Sequence, residues 1–260
     1  MVEFDYQWKN LPDEYMECND ERVAEFLELV YGKPETRTKL LMKRALLKFY
    51  LSAENNLKIK QNKTRQLLEK GIFFRGKYCL DAGCGPGRWT CAMQRLGAAK
   101  VDSFDISPEA VTKCKKINPN AYVFGIFDLE PNPVYDFVLS WGVLHHTAEP
   151  RKAFSRVASQ VKKDGGMLHV MLYNKNTQYN YVEGRKIWKS LSLEEKLELC
   201  KEKVKIHGGT IHGWFDAFNP EYNWSFTEKE IKEWFEEEGF SEIRLTKIDN
   251  INMNGILKIR

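Results

Sequence analysis

The chain has 260 residues, 40 of them basic and 36 acidic, for a formal net charge of +4. Apolar residues make up 43% of it, enough for a packed core, so a disordered chain is excluded and one large α/β domain with additions fits the length. The near-balanced charge implies no nucleic-acid partner, and no apolar run approaches the roughly 20 residues of a membrane span.

The first 73 residues read as helical. Val23, Phe26, Leu27 and Val30 recur at helical spacing behind Asn19, a candidate N-cap, and Gly32 stops the run. Further helices are expected over 37–51 and 53–70. From Lys77 the texture changes to short apolar runs: Tyr78–Leu80, Lys100–Val101, Tyr122–Phe124, Asp136–Leu139 and Met167–Met171. Amphipathic stretches lie between most of them, and this alternation predicts a parallel sheet covered on both faces. A helix-rich stretch over 174–225 interrupts it. Thr227-Glu228-Lys229-Glu230 then reads as a capping box for a helix carrying Ile231, Trp234 and Phe235, ended by Gly239. Closing strands are expected near 241–248 and 254–259. Their short connection predicts an antiparallel final strand.

The strongest local signal is Leu80-Asp81-Ala82-Gly83-Cys84-Gly85-Pro86-Gly87-Arg88-Trp89-Thr90. A buried strand ends at Asp81, and three glycines open a helix, giving tight turning and close ligand approach. The third glycine comes one residue early for a nicotinamide fingerprint, and no Gly-Lys-Ser/Thr ending marks a nucleoside triphosphate loop. Asp105 lies 20 residues after Gly85, where an acidic side chain at a strand end can accept both hydroxyls of a ribose. Ser107-Pro108 starts the next helix.

These residues carry a resemblance. Leu80–Thr90, Phe104–Pro108, Phe127-Asp128-Leu129 and Tyr135–Pro150 resemble the successive motifs of class I S-adenosylmethionine-dependent methyltransferases. Val143-Leu144-His145-His146 with Pro150, and Asp164-Gly165-Gly166, are similar to the broad small-molecule and quinone-type group called type 11. Phe4–Trp8 and Trp214–Thr227 resemble flanking segments of a subgroup associated with sugar, polysaccharide or secondary-metabolite modification. Phe226-Thr227 stands where that subgroup tends to carry His-Thr. The resemblance implies an α/β, Rossmann-like methyltransferase fold. Its sheet would be seven-stranded and mostly parallel, with a helical N-terminal extension or lid (1–73), a core (74–173 and 226–260) and a helical cap insertion (174–225) shaping the acceptor pocket.

It also implies S-adenosyl-L-methionine as cofactor. Asp81 and Gly83 would approach its methionine end, Gly85 and Gly87 would allow close backbone passage with Cys84 between them in the cofactor loop, Asp105 would hold its ribose, Ile106 would flank the adenine and Asp128 would accept the adenine amino group. Phe127 or Leu129 would face the ring, and Trp141 would wall the sulfonium. Packing competes with these last readings, since lone aromatics usually serve the core.

Methyl transfer from a sulfonium needs alignment, exclusion of water and, for an oxygen or protonated nitrogen acceptor, a general base. Histidine suits that task. His146 is the first candidate, His145 the alternative, and Tyr173 a further catalytic candidate. Adjacent residues point apart, so one histidine at most reaches an acceptor. Tyr6, Trp8, His212, Trp214, Asp216 and Tyr222 are the substrate-binding candidates. The expected function is methyl transfer to an O or N atom of a small molecule. An RNA or protein methyltransferase is the alternative, and a non-catalytic cofactor-binding accessory or sensor protein is another.

A small-molecule acceptor is thus the expected partner; membrane and nucleic acid are not expected, and nothing in the sequence sets the oligomeric state. No Cys/His arrangement has metal-ligand spacing. The start Met1-Val2-Glu3-Phe4-Asp5 lacks signal-peptide character, so a cytoplasmic location is expected. With no Cys-x-x-Cys pair, all six cysteines are expected to be reduced structural thiols.

Overall fold

Hydrophobic alternation along the strands decides which faces of the sheet become core. The computed structural model describes residues 5–11, 17–32, 73–177, 179–247 and 249–258; the helices expected over 37–51 and 53–70 lie outside them. The strands are β1 (Tyr78–Ala82), β2 (Lys100–Asp105), β3 (Tyr122–Val123), β4 (Phe137–Trp141), β5 (Gly166–Leu172), β6 (Phe240–Lys247) and β7 (Ile251–Leu257). They form one seven-stranded sheet in the order β3-β2-β1-β4-β5-β7-β6. The pairs among β1 to β5 are parallel, and β7 runs antiparallel to both β5 and β6.

Both faces are covered. Leu80, Val138, Leu168 and Val170 point into one core, while Cys79, Phe137, Leu139 and Met167 point into the other. This is the two-residue period of a strand buried on both sides. The first core is closed by α5 (Pro150–Ala158) through Phe154 and Val157 and by α9 (Glu228–Glu237) through Ile231 and Phe235. The second is closed by α2 (Asp20–Tyr31) through Phe26, Leu27 and Val30 and by α3 (Arg88–Arg95) through Trp89 and Met93.

The expected caps are present. Asn19 Oδ1 accepts from Arg22 N at 3.0 Å, and the Gly32 N–H donates to Glu28 O at 3.0 Å. The Thr227–Glu230 capping box closes at both ends, with hydrogen bonds of 2.7 and 3.3 Å. The closing strand begins at Ile251, earlier than expected. Its buried Asn252 and Asn254 break the apolar pattern, yet full pairing with β5 carries the strand through them.

Between β5 and α9 stand α6 (Tyr179–Trp188), α7 (Leu193–His207) and α8 (Ile211–Phe218). Trp188, Cys200, Trp214, Phe215 and Phe218 give them a core of their own, and Tyr6 and Leu11 from the N-terminal segment pack into it. The helix α1 (Asp5–Asn10) thereby joins this unit to the sheet edge.

One cysteine expectation is corrected. Cys18 and Cys91 form a disulfide with a Cα–Cα distance of 5.7 Å. Their separation of 73 residues carries no spacing signal; the docking of the segment before α2 against α3 brings them together. Cys79, Cys84, Cys114 and Cys200 are free and buried. Among the described residues no helix is long and apolar enough to cross a membrane.

Candidate active site at the strand edge

The order of the sheet reverses at β1, whose neighbours β2 and β4 continue in opposite directions. Ligands of open α/β sheets bind beyond the carboxyl ends of the strands at such a point. The glycine loop, the turn after β4 and Tyr173 after β5 all leave from that edge.

The loop is built from backbone geometry. Gly83, Gly85 and Gly87 all have positive φ (82°, 51° and 97°), a conformation costly for other residues. A Cβ on Gly83 would stand 2.4 Å from a Val143 methyl, so this position has no room for a side chain. The N–H groups of Gly83 and Cys84 donate to Phe104 O at 2.9 and 2.8 Å, tying the loop to β2. Asp105 then holds it from the side: Oδ2 accepts from Gly85 N and Oδ1 from Ser107 N, each at 2.9 Å. Burial pushes the Asp105 carboxyl above its usual pKa, against the lowering effect of the Ser107, Gly85 and Ile106 N–H groups.

Asp81 lies beneath the loop. It accepts from Thr90 Oγ1 at 2.7 Å, and burial raises its pKa to about 7 despite that bond. It therefore fastens β1 to α3. Cys84 is buried beside Val111, Cys114 and Ala121, with its thiol 3.3 Å from Gly85 O. Ile106 remains 54% exposed, and Asp128 is exposed in the short turn Ile126–Asp128.

Three of the residues expected at ligands are accounted for by packing. Leu129 is buried in the core, while half-buried Phe127 packs against that core with Lys152 Nζ 5.7 Å over its ring. Trp141 meets Trp89 edge-on at 5.4 Å and donates its indole N–H to Asn252 at 3.3 Å, on the side of the sheet covered by α2 and α3. Trp214 is buried in the core of the insertion and donates its indole N–H to Gly208 O at 2.8 Å, joining α7 to α8.

The two histidines diverge as their adjacency requires. His145 is buried, with its ring 3.8 Å from Tyr173, and burial together with the charges of His146 and Arg185 holds its pKa well below 6.5. His146 faces the insertion instead. Its Nδ1 bonds to Tyr222 O at 3.0 Å, and its Nε2 lies 3.8 Å from Asp216 Oδ2.

Asp216 sits one turn beyond His212 on α8, so both side chains share a helix face. Gln7, buried on α1, donates to Asp216 Oδ1 at 2.9 Å. Burial opposes the Asp216 charge, but His146, Gln7 and His212 together hold its pKa below the usual carboxylate value. Trp8 meets His212 with the rings tilted by 42° and their centroids 4.4 Å apart, and its ring stands 3.4 Å from where a Gly85 Cβ would be. Tyr6 packs on Phe215 at 5.5 Å. Asp5 receives a 2.6 Å hydrogen bond from Ser107, the N-cap of α4 (Pro108–Cys114), so α1 spans both the loop and the histidine.

A methyltransferase-domain family model matches residues 53–245, more than half of the chain. The chain belongs to the methyltransferase domain family. This methyltransferase is 30% identical over 151 residues to a tRNA U34 carboxymethyltransferase of Hahella chejuensis, covering 51% of this chain and 47% of the relative. It is 34% identical over 104 residues to the mitochondrial ubiquinone biosynthesis O-methyltransferase of Schizosaccharomyces pombe, covering 36% of this chain and 38% of that one. The chain thus spans less than half the length of either relative. An S-adenosylmethionine-dependent methyltransferase structure from Mesorhizobium loti superposes with a TM-score of 0.50 at 14% identity, covering 70% of this chain and 92% of its own, and shares the fold.

The chain carries a methyltransferase domain, as its motifs implied. The expectation that nucleic acid is no partner does not stand, because tRNA-modifying enzymes of several bacteria are among the relatives. Balanced net charge was too coarse a guide to overrule that.

Gln7 is the residue that sequence reasoning missed. Its signal was slight: a lone amide between Tyr6 and Trp8, with nothing to indicate that α1 docks on α8.

Proposed function

We propose that this methyltransferase moves a methyl group onto a hydroxyl or N–H acceptor whose proton is taken by His146. The observation that supports it is the approach of Asp216 to His146 Nε2, beside the strand edge that carries the glycine loop. Tyr222 O takes the Nδ1 proton, which leaves Nε2 as the atom that can accept one. Asp216, kept ionised, then stabilises the imidazolium formed. General-base catalysis of this kind contributes about 10²–10⁴-fold.

The cofactor fits the residues present. The loop glycines leave backbone without side chains along one wall, and the Asp105 carboxylate keeps acceptor capacity for a ribose hydroxyl. Exposed Ile106 and Asp128 suit the adenine ring and its amino group. S-adenosylmethionine, when bound, supplies a methyl group activated on a positively charged sulfur. The N-terminal segment, through Trp8, acts as a lid over the loop, and the 174–225 insertion shapes the acceptor pocket around His146, His212 and Tyr173.

For the acceptor we infer an RNA nucleotide before a free metabolite. The tRNA U34 enzymes support this reading, while a ribosomal protein L11 methyltransferase among the relatives supports a protein acceptor. The ubiquinone and trans-aconitate methyltransferases support the small-molecule reading, including the type 11 grouping. The test is transfer of labelled methyl to total tRNA, to a ribosomal protein fraction and to a metabolite extract. Label should enter tRNA and be lost in His146→Gln. Label confined to the metabolite or protein fraction overturns the RNA acceptor, and full transfer by His146→Gln overturns the base.

A further inference from the structure

The segment that approaches His146 from the insertion is extended, running from Tyr222 to a bridge between Phe226 and Asn174. It is sewn to the turn that carries the histidines. Tyr222 O bonds to His146 Nδ1 at 3.0 Å. Trp224 N donates to His145 O at 2.9 Å, and Phe226 N donates to Tyr173 O at 2.9 Å. Trp224 spends its indole N–H on Thr147 O at 3.1 Å.

Side chains two apart on an extended chain share a face. Asn223 turns inward, donating to Ala217 O at 2.8 Å, while Tyr222 and Trp224 are 36% and 48% exposed. Scattered exposed aromatics are ordinary, but these two stand two residues apart on an extended segment whose backbone is pinned at the proposed base. The rise of an extended chain separates their Cα atoms by about 7 Å.

We propose that Tyr222 and Trp224 form an acceptor platform that holds a planar conjugated ring beside His146. This rests on His146 as the base. With the indole donor already used, Trp224 offers only its π-face, so it recognises a ring by stacking rather than by hydrogen bonding. Its pinned position means that little side-chain freedom is lost on binding. A nucleobase of single-stranded RNA and a free quinone share this chemistry, and stacking on aromatic side chains is a sequence-tolerant way to hold bases.

The experiment is equilibrium binding of two probes to the full chain, a labelled single-stranded RNA dodecamer of mixed sequence and menadione. It compares wild type, Trp224→Ala, Trp224→Phe and Tyr222→Ala, with S-adenosylhomocysteine affinity by calorimetry as the check on folding. Trp224→Ala should weaken at least one probe tenfold or more. Trp224→Phe should stay within threefold of wild type, and cofactor affinity should not move. A loss seen with RNA assigns the ring to a nucleobase. A loss seen only with menadione keeps the platform and removes the RNA acceptor. The platform is overturned if neither probe binds wild type, if both alanine variants bind as wild type does, or if Trp224→Ala loses the cofactor as well. Methylation of tRNA with unchanged probe binding would remove the platform and leave the RNA reading standing.

Discussion

Asp216 reaches His146 from a different part of the chain, and Gln7 holds its second oxygen from a third. The carboxylate therefore has a fixed orientation only while α1, α8 and the turn after β4 are docked together. Its depressed pKa is a consequence of that assembly, since burial alone would raise it.

Asp216→Asn should lower kcat by about 10²-fold or more while leaving S-adenosylhomocysteine affinity unchanged, because it removes stabilisation of a charge that forms only during proton transfer. Because the folded-state pKa of Asp216 lies below the unfolded value, its stabilising contribution is complete above the ordinary carboxylate pKa of about 3.9. That contribution is lost as pH falls through the folded value. The wild type should accordingly lose stability in acid more steeply than Asp216→Asn in urea titrations from pH 5 to 3. Parallel curves would mean that the carboxylate is no better stabilised in the folded chain.

Asp105→Ala should weaken cofactor binding by about 1.5–3 kcal/mol, the cost of a lost hydrogen bond to a charged group. The same change frees the Gly85 and Ser107 N–H groups, so loop order should fall as well. Calorimetry with S-adenosylhomocysteine measures the first effect and amide hydrogen exchange across 83–88 the second. Unchanged affinity would remove Asp105 from the cofactor site.

Gly83→Ala should destabilise the fold by about 1–3 kcal/mol, since the new methyl meets Val143 and the backbone sits at φ 82°. Adding Val143→Ala should recover only part of this, because the second change relieves the collision and not the backbone conformation. Denaturant melts of the single and double variants measure it. Full recovery in the double variant would assign the whole effect to the collision.

His169 on β5 is buried, and burial lowers its pKa from 6.5 to about 4, with Asn252 opposing. The unfolded chain binds this proton more readily, so stability is complete above pH 6.5 and falls as pH drops towards 4. The span corresponds to about 3 kcal/mol. His169→Asn should flatten the pH dependence of stability between pH 7 and 4, leaving the share due to buried His145. An unchanged slope would place the titration elsewhere.

The sheet and the cofactor loop were legible because their causes are local. Alternating side chains at Cys79, Leu80, Phe137 and Val138 choose a face one residue at a time. The glycines at 83, 85 and 87 announce positive φ, and Asp105 falls at a strand end set by the length of one β-α-β unit. β7 was harder to delimit because Asn252 and Asn254 are polar yet buried. Their burial depends on α2, where Asn254 donates to Val30 O, and on Trp141.

The acceptor side was decided by tertiary structure. The sequence ranked His146 before His145 without a contact to justify it; that His145 packs on Tyr173 while His146 meets Asp216 on α8 depends on how distant segments dock. Nor could the sequence separate Trp214, packed in the insertion's own core, from Asp216 two residues later, which approaches His146. The Cys18–Cys91 bridge and the Gln7–Asp216 contact are of the same kind. Local propensity specifies strands, caps and the glycine turn because those energies are set by neighbouring residues. Pairings between distant segments depend on how helices dock, and that is settled only by packing all of them at once.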